Sequence, residues 1–144
     1  MTITKSIQSF VILFLLSCFL QMSCDNDDNS NESCQDIICT LELRRINVSV
    51  LDENQNSVAL DSFEVVDIEN GEDLTITLSQ SEFEGAQEFG QYPLIEDRIL
   101  GLNQERELKF KGFKDGVEVV SARYTVKTDC CHVSLKSGDV QLTI

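Results

Sequence analysis

Tryptophan is absent and only two tyrosines occur, so no platform of stacked aromatics for carbohydrate is in view. A single histidine leaves most hydrolytic mechanisms to carboxylates alone, and no acid is marked out by its neighbours. No paired-carboxylate, Ser-His-Asp, phosphate-loop or zinc-hydrolase constellation is present. Basic residues are scarce: eleven against twenty-five acids, a net charge of −14. Nucleic acid and anionic lipid both need basic patches, so neither is an expected ligand. The longest apolar run, Phe10 to Leu20, falls well short of the ~20 residues a membrane-spanning helix needs.

That run is nonetheless the most informative stretch of the chain. Lys5 is the only charge before Cys24, and no polar residue interrupts the apolar segment at a helical period until Gln21. Cys24 follows, and then Asp25-Asn26-Asp27-Asp28-Asn29-Ser30. A short positive start, an apolar middle and a cysteine at the polar edge read as a lipoprotein export signal. Two cysteines compete for the lipid. Cys18 has the better preceding residues, Leu15-Leu16-Ser17. Cys24, after Gln21-Met22-Ser23, lies where the apolar run meets polar chain, and cleavage is expected at that edge. Cys24 is the expected acylation site and Cys18 the alternative. Each buried CH₂ contributes ~0.8 kcal/mol, so stable attachment takes more than one acyl chain.

Residues 25–30 place oxygen side chains where a calcium loop begins. Ser30 then stands where the sharp turn needs glycine, and Asp36 where a bidentate glutamate belongs. The stretch reads as an acidic, disordered tether. Three segments result: a signal peptide at 1–23, the lipidated cysteine and tether at 24–33, and a domain at 34–144. Removing Lys5 with the leader leaves ten basic and twenty-five acidic residues, a net charge near −15. Such a surface is repelled by an anionic membrane, and the tether holds it off.

Period-two alternation dominates from residue 40 onward. Leu41 and Leu43 share one face, and Ile46, Val48 and Val50 continue with shifted parity, placing a β-bulge at Arg44-Arg45. Val58 to Leu60 and Phe63 to Val66 read as a second strand, and Leu74, Ile76 and Leu78 as a third. Residues 80–101 read as a long excursion holding one short helical turn and a brief strand at Leu94-Ile95 or Arg98 to Leu100. Long loops on rigid scaffolds carry binding sites, so this one is the first candidate for a ligand. Leu108 and Phe110 lead into Asp115-Gly116, a type I′ hairpin signal. Val120, Ala122, Tyr124 and Val126 then share a face, and Val133, Leu135, Val140, Leu142 and Ile144 follow. The expected fold is all-β, a single antiparallel β-sandwich of about seven or eight strands.

Residues 46–66 (INVSVLDENQNSVALDSFEVV) resemble the first two strands of transthyretin-like, carboxypeptidase-regulatory-type domains, without the glycine and proline usual in the intervening turn. The cysteine followed by acidic residues at 24–28, and YTVKTDCCHVSLKSG at 124–138, resemble small lipoproteins of Bacteroidota type. These resemblances imply an Ig-like sandwich and surface export, and they point to no particular activity.

With Cys24 acylated and Cys18 removed, Cys34, Cys39, Cys130 and Cys131 remain. Export places them in a compartment that permits disulfides, and four cysteines allow three pairings. One joins the adjacent Cys130 and Cys131 in a strained ring. The other two tie the first pair to the second, closing loops of ~90–100 residues worth up to ~4.7 kcal/mol in the chain-entropy model, the second bridge adding less. A metal site built from these cysteines and His132 is the alternative. Adjacent cysteines chelate poorly, and zinc ribbons space theirs Cys-x-x-Cys, so no metal or other cofactor is expected. A Cys131–His132 catalytic pair is disfavoured because chain neighbours in a strand face apart. His132 is expected at the surface or an edge.

The sequence therefore predicts a non-catalytic, outer-membrane-anchored envelope lipoprotein, facing the periplasm or the cell surface, that binds another protein, such as an envelope protein, or a cell-envelope component. An accessory protein without a discrete ligand and a small carboxylate-based enzyme are the alternatives. The membrane, reached through the lipid, is the one partner the sequence names.

Overall fold

A computed structural model describes residues 34–144. The leader, Cys18, Cys24 and the tether at 24–33 lie outside the described residues. The described chain is mostly strand, in two sheets with one short helix and no barrel. The first sheet has β1 (Arg45–Leu51) at its centre, between β3 (Gln91–Glu96) and β7 (Gln141–Thr143). The second runs β2-β4-β5-β6, from Ser62–Asp67, Glu105–Lys114, Val117–Thr128 and Val133–Ser137. Val48, Tyr92 and Leu94 from the first sheet share one buried core with Val65, Phe110 and Val126 from the second. Phe63, Tyr92 and Phe110 form its aromatic centre, with ring centroids 5.7 to 6.5 Å apart.

The hairpin at Asp115-Gly116 is as expected: both residues have positive φ, 51° and 75°, as a type I′ turn requires. The strand expected from residue 40 instead starts at Arg45, because the Arg44 amide donates to the Asp97 carboxylate and not to a neighbouring strand. Leu41 and Leu43 are consequently irregular and exposed. The bulge falls later than expected, between Ile46 and Asn47, and the extra residue is Leu94 of β3. It turns consecutive residues Leu94 and Ile95 both into the core. Pro93 is tolerated because β3 is an edge strand.

Val58 and Leu60 are buried, but the segment 58–60 is irregular. The Val58 amide bonds the Val50 carbonyl at 3.0 Å, and beyond it the Tyr92 hydroxyl takes over, donating to the Val58 carbonyl (2.8 Å) and accepting from the Leu60 amide (2.7 Å). Residues 74–78 are likewise not a strand. The Thr75 hydroxyl takes the Val65 amide at 2.9 Å, and pairing with β2 is reduced to a single bridge between Val66 and Asp73.

The excursion at 80–101 contains more order than the single turn expected. Its first half is a ten-residue helix, α1 (Gln80–Phe89). Ser79 and Glu82 form a capping box, and Gly90 closes the helix at φ 62°. A side chain at Gly90 would meet the Val50 carbonyl oxygen at 2.7 Å. The all-antiparallel expectation also fails at the C-terminus. β7 pairs parallel with β1, and the Ser49 amide bonds the Val140 carbonyl at 2.7 Å.

Replacing Tyr92 by Phe keeps the ring but strands the buried Leu60 amide, a loss of ~1–3 kcal/mol. The urea midpoint is expected to fall with an unchanged slope. An unshifted midpoint would show that the hydroxyl does not hold this segment.

Candidate functional site

β1 and β6 begin, and β3 and β5 end, at the same end of the two sheets, and β4 also begins there. Three connecting segments meet at this end: 34–44, 97–104 and 129–132. Two disulfides fasten the first to the third, Cys34–Cys130 and Cys39–Cys131, with Cα atoms 5.4 and 5.3 Å apart. The adjacent-cysteine pairing is excluded, and all four domain cysteines are consumed. Among the described residues no group of three or more metal-ligating side chains is placed to hold an ion.

The third segment is shaped by Asp129. Its Oδ1 accepts the amides of Cys131 at 2.6 Å and His132 at 2.8 Å. Those two backbone bonds hold its carboxyl below the usual carboxylate range. The tight turn brings the adjacent cysteines to face two positions of the 34–39 segment.

Asp97, only 6% exposed, sits at the junction. Its Oδ1 accepts the Val133 amide at 2.7 Å, and its Oδ2 accepts the Arg44 amide and faces His132 Nδ1, both at 2.8 Å. Burial pushes its carboxyl up. The Arg44 amide, the His132 ring, the Val133 amide and charge on His132 together outweigh that, and its pKa lies below the ordinary value. The other ring nitrogen, Nε2, lies 3.1 Å from the Thr40 hydroxyl. Of the surface or edge position expected from sequence, His132 takes the second: it stands just before the edge strand β6, with its side chain nearly buried in a polar network.

Beside this network is a cavity of about 320 Å³, lined by Thr40, Leu41, Leu43, Leu100, Leu102 and His132 among others. Arg98 also lines it, held at φ 76°, a left-handed conformation costly for a long side chain. Thr128 shapes the far wall: its hydroxyl donates to the Gly101 carbonyl at 2.6 Å and accepts the Gln104 amide at 2.9 Å.

Asp97, His132 and Thr40 stand in the order of orienter, base and hydroxyl found in acyl-transfer triads. Such chemistry also needs free donors for an oxyanion. The amides of Arg44, Cys131, His132 and Val133 are all spent on Asp97 and Asp129. Thr40 directly follows the bridged Cys39, and the His132 bond ties it to the same loop. Thr40, His132 and Asp97 thus add a hydrogen-bonded link beside the Cys39–Cys131 bridge, next to a small cleft lined by both apolar and polar side chains.

Comparison with protein-family models, curated proteins and solved structures returns no match. The site is known by its geometry alone. The loop singled out from sequence contributes only its last residues, 97–101. Asp97, Arg98 and Thr40 carried no motif. Asp97 gains its role from neighbours 35 and 53 residues away.

Two outcomes follow. The Cys34–Cys130 bridge spans 96 residues, worth ~4.7 kcal/mol in the chain-entropy model. The second then closes only a short circuit and adds roughly half as much. Reduction is expected to lower the unfolding free energy by several kcal/mol, read from denaturant curves with and without reductant. Thiols that alkylate before reduction would remove the bridges altogether. For Asp97 the folded pKa is depressed, so its stabilisation is complete above the unfolded value of ~3.9 and is lost as pH falls through the folded value. Asp97→Asn should be less stable than wild type at neutral pH, with the gap closing in acid. A gap independent of pH would show that charge on Asp97 is not what stabilises.

Proposed function

We propose that the protein is a non-catalytic lipoprotein of the cell envelope, acylated at Cys24, with Cys18 the alternative. Residues 24–33 serve as its tether. The two sheets on their shared core form one β-sandwich, an interaction module on an outer-membrane anchor. Its partner is an envelope protein, and the Ig-like and Bacteroidota-type resemblances agree with this reading.

One observation carries the proposal. Both disulfides bind the first described residues to the loop entering β6. A pull from the acylated end would reach the core through covalent bonds, not through a fraying N-terminal strand. The bridges also fit an oxidising compartment.

Mass spectrometry of the mature N-terminus tests the anchor. Acyl mass on Cys24 is the expected result, acyl mass on Cys18 moves the cleavage site, and an unmodified N-terminus refutes lipidation. A pull-down from detergent-solubilised envelope tests the partner. A stoichiometric protein supports binding, and its repeated absence leaves an accessory role.

A further inference from the structure

Eleven large apolar side chains are exposed among the described residues. Six of them, Ile37, Ile38, Leu41, Leu43, Ile99 and Leu102, belong to the segments at the disulfide-bridged end. Ile38 is 97% exposed and Leu41 fully so, at 105%. Leu41, Leu43 and Leu102 also line the cleft. The fold does not need them there. The segment from Cys34 to Arg44 is already held by two disulfides, the Thr40–His132 bond and the Arg44–Asp97 bond. Apolar side chains grouped on one end without a part in the core mark an interaction face.

We infer that this end docks onto the interfacial layer of the bilayer, its leucines and isoleucines entering the boundary between headgroups and acyl chains. The inference rests on the reading of Cys24 as acylated. From Cys24 to Cys34 is ten residues, a reach of at most ~33–36 Å. Cys34 is bonded to Cys130, so the tether leaves the domain at this same end. The lipid surface is therefore the apolar phase nearest to these side chains. Tethering makes docking intramolecular, so a small apolar face suffices.

Charge selects the lipid. Asp97 and Asp129 keep their charge inside hydrogen bonds, and Arg44 and Arg98 balance only two of the four acids in these segments, Asp36, Glu42, Asp97 and Asp129, so this end is weakly acidic. The rest of the domain is strongly acidic. Docking is onto zwitterionic lipid through apolar contact, and anionic lipid weakens it. The domain is drawn down onto the membrane at one end while its acidic remainder faces away.

The chain has no tryptophan, so a single indole reports its own site. Acylated mature protein carrying Leu41→Trp is reconstituted into phosphatidylcholine vesicles with brominated acyl chains. Val117→Trp, on the far hairpin, is the control. The indole at 41 is expected to shift to the blue and to be quenched by about half, as its depth in the interface implies, with the control unchanged. Adding Ile38→Asp and Leu102→Asp to Leu41→Trp should abolish the quenching. Protein that floats with the vesicles while both indoles stay unquenched overturns docking and leaves the anchor standing. Protein that carries no acyl group and does not float overturns both. A blue shift that follows protein concentration in lipid-free detergent assigns the face to a second copy and overturns docking. A blue shift that requires a co-purified envelope protein assigns it to that protein, with the same consequence.

Discussion

A single buried carboxylate, Asp97, holds the two sheets together at one end. It accepts one amide from the residue entering β1 and another from the first residue of β6, which belong to different sheets. Burying an unpaired carboxylate is costly, and three charge-assisted hydrogen bonds offset that cost here. The same group orients His132, and through it Thr40. It ends the β1 ladder, because the amide it takes from Arg44 is no longer available to a strand. Loss of this one group would leave two backbone amides and an imidazole without their partner. The disulfides constrain the same junction from outside, one residue before Thr40 and one before His132.

Elsewhere the same principle recurs with other side chains. The Tyr92 hydroxyl satisfies 58–60, the Thr75 hydroxyl ends pairing at β2, and Gln87 from α1 donates to the Leu60 carbonyl at 2.8 Å. Each departure from regular strand is a place where a side chain takes a backbone group that a neighbouring strand would otherwise have used. Tyr124 does likewise for the turn before β7, donating to the Asp139 carbonyl at 2.8 Å. Burial, with the Asp139 charge adding to it, pushes its phenol up to about 12 and keeps it a donor.

This pattern explains what was legible in the chain. The alternation of Val120, Ala122, Tyr124 and Val126 and the Asp115-Gly116 turn are local signals, and both appear where expected. The helix at 80–89 was also written locally, in Ser79, Glu82 and Gly90, but its weak apolar stripe and its two acid-rich turns resembled loop. Residues 41–43, 58–60 and 74–78 have strand composition and are not strands. What decides the first two is an Asp and a Tyr remote in sequence, and what decides 74–78 is its own Thr75, whose hydroxyl takes an amide of β2. Periodicity reports which side chains could face a core. It is silent on which backbone groups a distant hydroxyl or carboxylate will claim. The site was legible as four cysteines and a histidine of interest, but not as the network of Asp97.

The junction also accounts for how an end rich in exposed isoleucine and leucine stays ordered. In most domains such residues order a segment by being buried beneath it. Here Ile38 and Leu41 face outward, so burial of their side chains cannot supply the order. Disulfides restrict the unfolded chain, and hydrogen bonds to Asp97 and His132 fix direction, and neither requires apolar area. The segment's fixation and its surface are thereby uncoupled. Its apolar positions can change in character at little expense to the fold, whereas Asp97, the four cysteines and the turn at Asp129 cannot. A face free of structural duty is free to be selected for what it touches.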